Sequence, residues 1–454
     1  MKRFFRRLTA FLLILLLTVT SASALTVDEA LELLDRYFVY EIPEEARNAE
    51  TLDELFALLG DRYTCYMTAE EYDSFLRGVE GVQELVGIGV SVRLTADGIY
   101  VDEVLAGGSA LSAGIRAGDL IVEVDGVSCV PADDSHRAMI AGEEGTLVAL
   151  TVVREGVAFR YTLPRWRVVV PNTEFDLVDG SIGWIDCNSF GSDTGISMMR
   201  GISAYEGLTD AWVLDLRGNS GGYTDAAITM LGLFSGPGVY LYLRDRGGLT
   251  QGYVYSDPVR SEDPLVVLVD GSSASASEAV AAGIRDSGRG IVIGKRTFGK
   301  GVAQIVMDGE TDPLLFGEDA LKVTAYRFYS QGTNTTDLIG VIPMLELDSS
   351  VAEQVARALC GRFRDDLSTD GQLMLRLAGQ YFFLDMEDLP SDAASAFLSA
   401  LPPGAQLWVG SDGFMWKEID PADAAELLGA EYAPRRFDDV ADSPYAFEIN
   451  TLAN

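Results

Sequence analysis

The stretch of sequence that decides the fold runs from Pro264 to Gln304 and reads PLVVLVDGSSASASEAVAAGIRDSGRGIVIGKRTFGKGVAQ. An apolar, β-rich run from Leu265 to Val269 breaks into small residues, and a helical pattern follows from Ala276 to Ser287. Ser275 lies at the turn between them. A strand-turn-helix of this kind exposes a side chain at the turn and places the free N–H groups of the helix beside it. The stretch therefore predicts a serine presented at the end of a buried strand.

A lysine follows in the same stretch. Ile291 to Gly294 predicts a second short strand, and the glycine-bracketed loop from Thr297 to Gly301 carries Lys300. A serine nucleophile needs a base, and the one histidine of the chain, His136, lies far away in the sequence. Because desolvation can lower the pKa of a lysine enough for it to act as a base, we favour lysine over a Ser-His-Asp triad. The alternative is an ordinary polar turn that caps a helix.

These residues resemble the active-site signature of the carboxyl-terminal processing peptidases, also called tail-specific proteases. The intervals of 25 positions from Ser275 to Lys300 and of 4 positions from Lys300 to Gln304 match the spacing of that family. The resemblance implies that Ser275 is the nucleophile, that Lys300 is the general base and that Gln304 orients the lysine. The neighbouring alternatives, which only the spacing argues against, are Ser273, Ser277 and Lys295.

A second turn, Gly218 to Gly222, follows a buried strand predicted over Ala211 to Arg217. It resembles the Gly-Asn-Pro-Gly-Gly turn of the same family, with Ser220 where proline is usual. The resemblance implies that the backbone N–H groups of Gly221 and Ala276 form an oxyanion hole, whose fixed donors stabilise the charge that develops on a carbonyl oxygen. Strands that alternate with helices here predict a parallel or mixed sheet with the site at the strand ends.

Short alternating strands predict a different domain ahead of this core. The segment Gly108 to Gly126, which ends in Ala-Gly-Asp-Leu-Ile-Val-Glu-Val-Asp-Gly, resembles part of a PDZ domain. Ala141 stands where many relatives have an arginine, which leaves open any coupling of the PDZ domain to the active site through that residue. His136 falls in the PDZ helix, as a surface residue or a ligand contact. The resemblance implies a loop whose N–H groups bind the terminal carboxylate of a peptide that adds to a sheet edge, formed by Gly87, Ile88, Gly89 and Val90.

The first 24 residues have the pattern of a secretory signal. Four basic residues precede an apolar run from Leu8 to Val19, and Ala22-Ser-Ala24 supplies small residues, so we expect cleavage after Ala24. The run is short for a membrane span, and an uncleaved anchor is the alternative. The signal predicts a protein that works outside the cytoplasm, either secreted or associated with the cell envelope.

Charge and cysteine content argue against several classes of function. The 454 residues contain 34 Lys and Arg against 69 Asp and Glu, a formal net charge of −35, so binding to nucleic acid or anionic lipid is not expected. The implied mechanism needs no metal or organic cofactor. The four cysteines lack CxxC spacing, so a metal site is not expected and any disulfide pairing stays open: Cys65, Cys129, Cys187 and Cys360.

The patterns predict a multidomain α+β and α/β protein: a mixed-sheet Ser-Lys protease core with an inserted PDZ domain and a helical N-terminal segment. The expected segments are a signal peptide (1–24), an N-terminal helical segment (25–80), a PDZ domain (81–165), the protease core (166–346) and a C-terminal extension (347–454). Within the extension, residues 351–363 and 371–381 have helical spacing, and residues 406–416 predict a hairpin. Residues 436–453 resemble the opening half of an S-layer homology repeat, which would imply cell-wall association; an acidic terminal helix is the alternative.

These observations predict an exported serine endopeptidase that uses Ser275, Lys300 and Gln304. Its expected partners are proteins or peptides with free C-termini, recognised by their tails through the PDZ domain, and its oligomeric state stays open between monomer and homodimer. One alternative is a catalytically silent PDZ scaffold or binding protein of the cell envelope. Another is a cell-wall structural protein built around the C-terminal end. Met344 stands where the family usually has an acidic residue after the proline, here Pro343. This difference bears on the details of substrate recognition more than on the chemistry.

Overall fold

The computed structural model describes residues 25–80, 83–105, 107–154, 156–331, 335–361, 369–377, 379–411, 413 and 415–433. The predicted signal peptide and the segment that resembles half of an S-layer homology repeat lie outside the described residues. No helix in the described ranges is long and apolar enough to cross a membrane.

Contacts divide the chain into two compact units. The larger unit comprises Met1–Leu76, Phe175–Asp186 and Gly195–Asn454, and the smaller comprises Arg77–Glu174 and Cys187–Thr194. The smaller unit is thus an insertion in the larger one. The limits of the five segments expected from the sequence stay predictions.

The N-terminal part of the larger unit is helical with one short strand. Its elements are α1 (Val27–Tyr37), α2 (Glu44–Arg47), α3 (Leu52–Leu59), β1 (Cys65–Met67) and α4 (Ala69–Val79). A capping box starts α1, because Thr26 N–H donates to the Glu29 carboxylate and Glu29 N–H donates to the Thr26 hydroxyl. The structure corrects the helical prediction at β1, which pairs antiparallel with residues 320–322 far along the chain.

The smaller unit is β-rich and has its own core. Its elements are β2 (Gln83–Gly87), β3 (Val90–Thr95), β4 (Gly98–Val104), α5 (Ser109–Ala113), β5 (Leu120–Val124), β6 (Val127–Ser128), α6 (Asp134–Ile140), β7 (Leu147–Arg154), β8 (Val157–Pro164) and β9 (Trp166–Val170). The main sheet runs β3-β4-β5-β7-β8, with β6 beside β5, and β2 pairs with β9 separately. Ile99, Ile121 and Val148 are fully buried in its core. Strands β7 and β8 pair antiparallel as a hairpin.

The central part of the larger unit contains a parallel sheet. Its elements are β10 (Thr173–Val178), β11 (Ile182–Cys187), α7 (Thr194–Ala204), β12 (Ala211–Asp215), α8 (Thr224–Ser235), β13 (Gly238–Arg244), β14 (Thr250–Tyr255), β15 (Leu265–Val269), α9 (Ala276–Asp286), β16 (Ile291–Gly294), β17 (Val302–Met307), β18 (Ala320–Tyr329) and β19 (Leu345–Glu346). Every residue of β12 and β15 is buried, as expected for central strands covered on both faces.

The two predicted turns meet at one edge of that sheet. The strand order is β10-β11-β12-β15-β16-β19, and the pairs from β11 to β19 are parallel. Because β12 and β15 are parallel neighbours, the Gly218–Gly222 turn and the Ser275 turn leave the sheet side by side. The predicted parallel or mixed sheet is confirmed, and the predicted site at its strand ends stays a prediction.

A second sheet positions the lysine loop. Its long strand β18 pairs antiparallel with β17 along one edge and with β1 and β13 along the other, and β14 follows β13. β17 begins at Val302, two residues after Lys300. The sheet therefore fixes the end of the loop that carries the lysine.

The C-terminal part of the larger unit adds helices and a third sheet. Its elements are α10 (Ser349–Leu359), β20 (Gln372–Leu377), β21 (Gln380–Asp385), α11 (Ser391–Ala400), β22 (Gln406–Ser411), β23 (Met415–Ile419) and α12 (Pro421–Leu428). The hairpin predicted over residues 406–416 is confirmed. The helical interpretation of residues 371–381 is wrong, because Leu373, Leu375 and Leu377 are all buried at strand spacing and Gly379 turns the chain at φ +80°.

Candidate active site

Ser275 occupies a strained position between β15 and α9. Its φ of 56° and ψ of −110° resemble the first central residue of a type II′ turn, where glycine is usual. Such a conformation costs on the order of 1–3 kcal/mol and persists only where the surrounding structure holds it. Ser273 and Ser277 are fully buried and donate to the carbonyl oxygens of Leu216 and Asn219, whereas Ser275 is partly exposed. Of these three serines, Ser275 is the accessible one.

The Gly218–Gly222 turn packs directly against Ser275. Gly221 has φ +105°, and a β-carbon there would lie 2.8 Å from Ser275 Cβ and 2.9 Å from the Ala276 nitrogen. The Asn219 carbonyl also accepts a hydrogen bond from Ala274 N–H at 3.0 Å. However, Gly221 N–H donates to Asn219 Oδ1 at 2.8 Å, so the predicted oxyanion donor is engaged within its own turn.

Lys300 is a partly buried cation with a lowered pKa. Burial is the main cause and the positive charge of Lys322 the next, and together they lower the pKa of Lys300 from 10.5 to about 8. Its Nζ lies 4.8 Å from the centroid of the Tyr63 ring, a cation–π contact. Within the described residues, no hydrogen bond joins this ammonium to the Ser275 hydroxyl.

Glu278, in the first turn of α9, connects the serine turn to the lysine loop. Its Oε2 accepts from Ser275 N–H at 2.9 Å and from Lys300 N–H at 2.7 Å. Its Oε1 accepts from the Thr297 hydroxyl at 2.6 Å and from Gly299 N–H at 2.7 Å. The residue is fully buried, and burial raises the pKa of Glu278 while these four hydrogen bonds oppose the rise. One carboxylate thus fixes the backbone of both predicted catalytic residues.

Gln304 lies on β17, four residues after Lys300. Its side-chain Nε2 donates to Thr324 Oγ1 at 3.3 Å. In the part of the chain that the structure describes, no hydrogen bond joins Gln304 to the Lys300 ammonium. Its predicted orienting role stays a prediction, and it requires a change of hydrogen-bond partner.

A small apolar cavity of about 20 Å³ opens beside Ser275. Helices α8 and α9 and strands β13, β17 and β18 supply its walls. A cavity of this size and composition fits one small, uncharged side chain. The residues that line it include Ala227, Leu241, Leu243, Ala279, Val302 and Phe328.

The N-terminal segment supplies residues of the site that sequence analysis missed. Tyr63, beneath the Lys300 ammonium, belongs to the turn before β1, and Arg62 Cζ lies 4.8 Å from both the Tyr63 and the Phe298 ring centroids. Thr64 Oγ1 accepts from Thr324 N–H at 2.9 Å, which ties this turn to β18. Contacts across some 250 residues leave no local pattern. Glu278, by contrast, belongs to a local pattern, because a Ser-x-x-Glu sequence at a helix start is typical of a capping box.

The predicted peptide-binding loop lies in the smaller unit, between β2 and β3. Its Ile88 and Gly89 carbonyls accept hydrogen bonds from Ala110 N–H and Leu105 N–H, and Gly89 packs so closely on Gly108 that a β-carbon would meet it at 2.6 Å. The turn and packing are those of a rigid loop at the end of an edge strand.

Two further side chains shape α6, the helix beside that edge strand. His136 contributes to the helix start, where its Nδ1 accepts from Asp133 N–H at 3.2 Å. Arg165 is buried and donates to the Met139 and Ile140 carbonyls at the helix end. Arg165 thus holds the end of the helix that precedes Ala141.

Comparisons with known proteins agree with this architecture. Residues 181–347 match the model of peptidase family S41, and residues 86–162 match a PDZ domain model. The carboxyl-terminal-processing protease of Picosynechococcus sp. (strain ATCC 27264 / PCC 7002 / PR-6) is 31% identical over 57% of this chain and 64% of its own length. Carboxyl-terminal-processing peptidase 2, chloroplastic, of Arabidopsis thaliana is 30% identical over 69% of this chain and 63% of its own length. The chain therefore spans just under two thirds of these relatives.

A solved structure shares the fold. It is a Bacteroides fragilis protein assigned to the S41 proteases, with a TM-score of 0.50 and 15% identity over 71% of this chain and 90% of that one. The matched segments together define a core similar to peptidase family S41 and an inserted segment similar to a PDZ domain. Residues 181–347 are thus similar to peptidase family S41, and the chain is similar to the carboxyl-terminal-processing proteases.

Proposed function

We propose that this chain is an active serine endopeptidase in which Ser275 is the nucleophile and Lys300 the general base. The observation that carries the proposal is the shared carboxylate of Glu278, which holds the backbone of both residues. The lowered pKa of Lys300, about 8, supports it, because a neutral amine is then accessible near physiological pH.

In the proposed mechanism, neutral Lys300 swings from the Tyr63 ring to Ser275 and takes the hydroxyl proton. The Ser275 oxygen attacks the peptide carbonyl, and the tetrahedral oxyanion accepts hydrogen bonds from Ala276 N–H and from Gly221 N–H, once the latter turns from Asn219. Protonated Lys300 then gives its proton to the leaving amine, and an acyl-enzyme remains. Water, deprotonated by Lys300, releases the carboxylic acid and restores the serine. Gln304 orients the amine after it exchanges its contact with Thr324.

The substrates we propose are proteins or peptides with free C-termini. The PDZ loop from Gly87 to Val90 would bind the terminal carboxylate, as PDZ domains do when a peptide adds to a sheet edge. The cavity beside Ser275 favours a small apolar residue before the scissile bond. The signal-like first 24 residues support work outside the cytoplasm, and residues 436–453 support an association with the cell wall.

The test is peptide hydrolysis by Ser275→Ala and Lys300→Ala together with labelling by a serine-reactive fluorophosphonate. Both variants should lose hydrolysis and Ser275→Ala should lose labelling, while both keep the circular dichroism of the parent. Ser272→Ala, an exposed serine three residues away, is the matched control and should keep both signals. Undiminished cleavage by either variant overturns the mechanism. A parent protein that binds C-terminal peptides but neither cleaves nor labels would favour the silent scaffold.

A further inference from the structure

Arg62 is an exposed cation held between two aromatic rings. Its Cζ lies 4.8 Å from the centroid of the Tyr63 ring and 4.8 Å from that of the Phe298 ring. Phe298 belongs to the loop that carries Lys300, and it is itself 48% exposed. Two ring contacts restrict a guanidinium that would otherwise sample many rotamers, so the planar fork of donors is pre-organised.

No carboxylate of the described residues forms an ion pair with Arg62. The adjacent carboxylate of Asp61 is used elsewhere: it accepts from Tyr63 N–H at 3.2 Å and from the Thr64 hydroxyl at 2.6 Å. Other arginines of the larger unit do have acidic partners, among them Arg217 with Asp215. An exposed, ordered guanidinium without an acidic partner is suited to bind a carboxylate of another molecule.

Arg62 also lies close to the proposed base. Arg62 Cζ and Lys300 Nζ are each 4.8 Å from the same Tyr63 ring centroid. They are therefore at most about 10 Å apart, a distance that about three residues of extended peptide can span. A substrate whose scissile bond sits at Ser275 and Lys300 would therefore place a residue near Arg62.

Several positive charges lie around this point. The chain carries a formal net charge of −35, which repels acidic peptides. At the site, however, Arg62, Lys300 and Lys322 lie close enough for the first and third to lower the pKa of the second. Asp61 and Glu278 act on that pKa in the opposite direction, but both carboxylates already accept hydrogen bonds within the protein. Of the three cations Arg62 is the exposed one, and an incoming carboxylate can reach it.

We propose that Arg62 binds a carboxylate of the substrate within about three residues of the scissile bond. The carboxylate comes either from an aspartate or glutamate side chain or from the free C-terminus of a substrate cut close to its end. Arg62 is thus a specificity-determining residue, and this assignment rests on the proposed peptidase function.

The experiment uses one cleavable peptide in matched forms: aspartate or asparagine at each of the three positions on either side of the scissile bond, and a free acid or an amide at the C-terminus. The ratio of kcat/KM between the two members of each pair is measured for the parent, for Arg62→Gln and for Arg62→Lys at one pH. Ratios are needed because loss of the Arg62 charge also shifts the pKa of Lys300, and that effect cancels within a pair. Arg36→Gln is the matched control, since Arg36 is an exposed arginine over a single tyrosine ring, Tyr37.

The parent should prefer the carboxylate form at one position by about fivefold, in the range of a charge-assisted contact that is partly exposed. Arg62→Gln should bring that ratio to about one, Arg62→Lys should keep part of it, and Arg36→Gln should keep all of it. If Arg62→Gln loses the preference only in the aspartate and asparagine pairs, the bound carboxylate belongs to a side chain. If it loses the preference only in the free-acid and amide pair, the bound carboxylate is the C-terminus. A preference that survives in Arg62→Gln, or a parent without any preference, overturns the proposal.

Binding to the Ser275→Ala background separates this inference from the proposed function. Fluorescence anisotropy with the same labelled peptides reports carboxylate preference without turnover. If the parent cleaves nothing but Ser275→Ala binds the acidic peptide more tightly in an Arg62-dependent way, the peptidase proposal fails and the carboxylate site stands. If cleavage is normal and neither assay depends on Arg62, only the carboxylate site fails.

Discussion

The carboxylate of Glu278 accepts a hydrogen bond from the backbone N–H of Lys300 at 2.7 Å, and the same oxygen accepts one from Ser275 N–H at 2.9 Å. A buried group that satisfies two N–H donors at once leaves little freedom for either backbone. The serine turn and the lysine loop are therefore one rigid body, although 25 positions separate the two residues in sequence. Glu278 acts through them and is a positioning residue.

Replacement of this carboxylate should reduce turnover. In Glu278→Gln an amide NH₂ faces backbone N–H donors, which leaves buried donors unpaired. We expect kcat to fall about 100-fold with KM little changed, and the free energy of unfolding to fall by about 2–3 kcal/mol. Steady-state kinetics and urea unfolding check both. Glu29→Gln, which breaks an equivalent exposed capping box at α1, should leave kcat unchanged; an equal loss of kcat there would contradict the assignment.

Activity should rise with pH because Lys300 acts as a base only when it is neutral. With a pKa of about 8, kcat/KM should increase about tenfold per pH unit below that value and level off above it. Lys322→Gln removes a positive charge that lowers this pKa, so the midpoint should move to higher pH and activity at pH 7 should fall. Lys295→Gln, an exposed lysine paired with Asp348, is the control and should leave the midpoint in place. If the midpoint of the pH profile is the same in Lys322→Gln as in the parent, a group other than Lys300 titrates.

The same lysine should lower the stability of the fold. In the unfolded chain the pKa of Lys300 has its ordinary value of 10.5, and in the folded protein it is about 8. Below pH 8 folding must bury a charged ammonium, between the two values stability rises with pH, and above 10.5 the cost is gone.

Lys300→Met should therefore abolish hydrolysis and raise the free energy of unfolding at pH 7 by about 1–2 kcal/mol, with the gain fading as the pH approaches 10. Lys295→Met, which loses the ion pair with Asp348, should not be stabilised. Chemical unfolding at several pH values measures both. A destabilised Lys300→Met at neutral pH would mean that the ring contact with Tyr63 outweighs the cost of burial.

Gly221→Ala should disable the site by crowding. The new β-carbon would meet Ser275 Cβ at 2.8 Å and the Ala276 nitrogen at 2.9 Å, so the proposed oxyanion donors and the nucleophile cannot all keep their places. We expect kcat/KM to fall about 100-fold, comparable to the loss of one oxyanion donor. Gly218→Ala is the matched control: it also has a positive φ, +75°, but a β-carbon there meets nothing within 4 Å. Equal losses in the two variants would attribute the effect to backbone strain alone.

Local patterns predicted the elements that carry the site. The apolar run that forms β15, the small residues after it and the helix from Ala276 are encoded next to each other, and glycine marks the Gly218–Gly222 turn. Parallel neighbours follow from alternating strands and helices, so the meeting of the two turns was predictable too.

Long-range contacts set the limits of sequence analysis. Tyr63 and Arg62 contact the lysine loop from the other end of the larger unit, and no local sequence pattern encodes such a contact. The helical prediction for residues 371–381 was wrong for a different reason. The leucines at 373, 375 and 377 alternate over too short a run to distinguish a strand from a helix. The resting contacts of Gln304 and Gly221 depend on side-chain and backbone rotations that no spacing encodes.

The pairing of β1 with β18 has a consequence for the order of folding. Thr64 and Thr324 are hydrogen-bonded across 260 positions, so the sheet that supports the lysine cannot close until β18 has been synthesised. The smaller unit has contacts mostly local to residues 77–174 and can form early, since short loops close at lower entropic cost. A newly made chain should thus fold its smaller unit before the proposed catalytic centre, so a chain that ends before β18 has no working base to damage its neighbours.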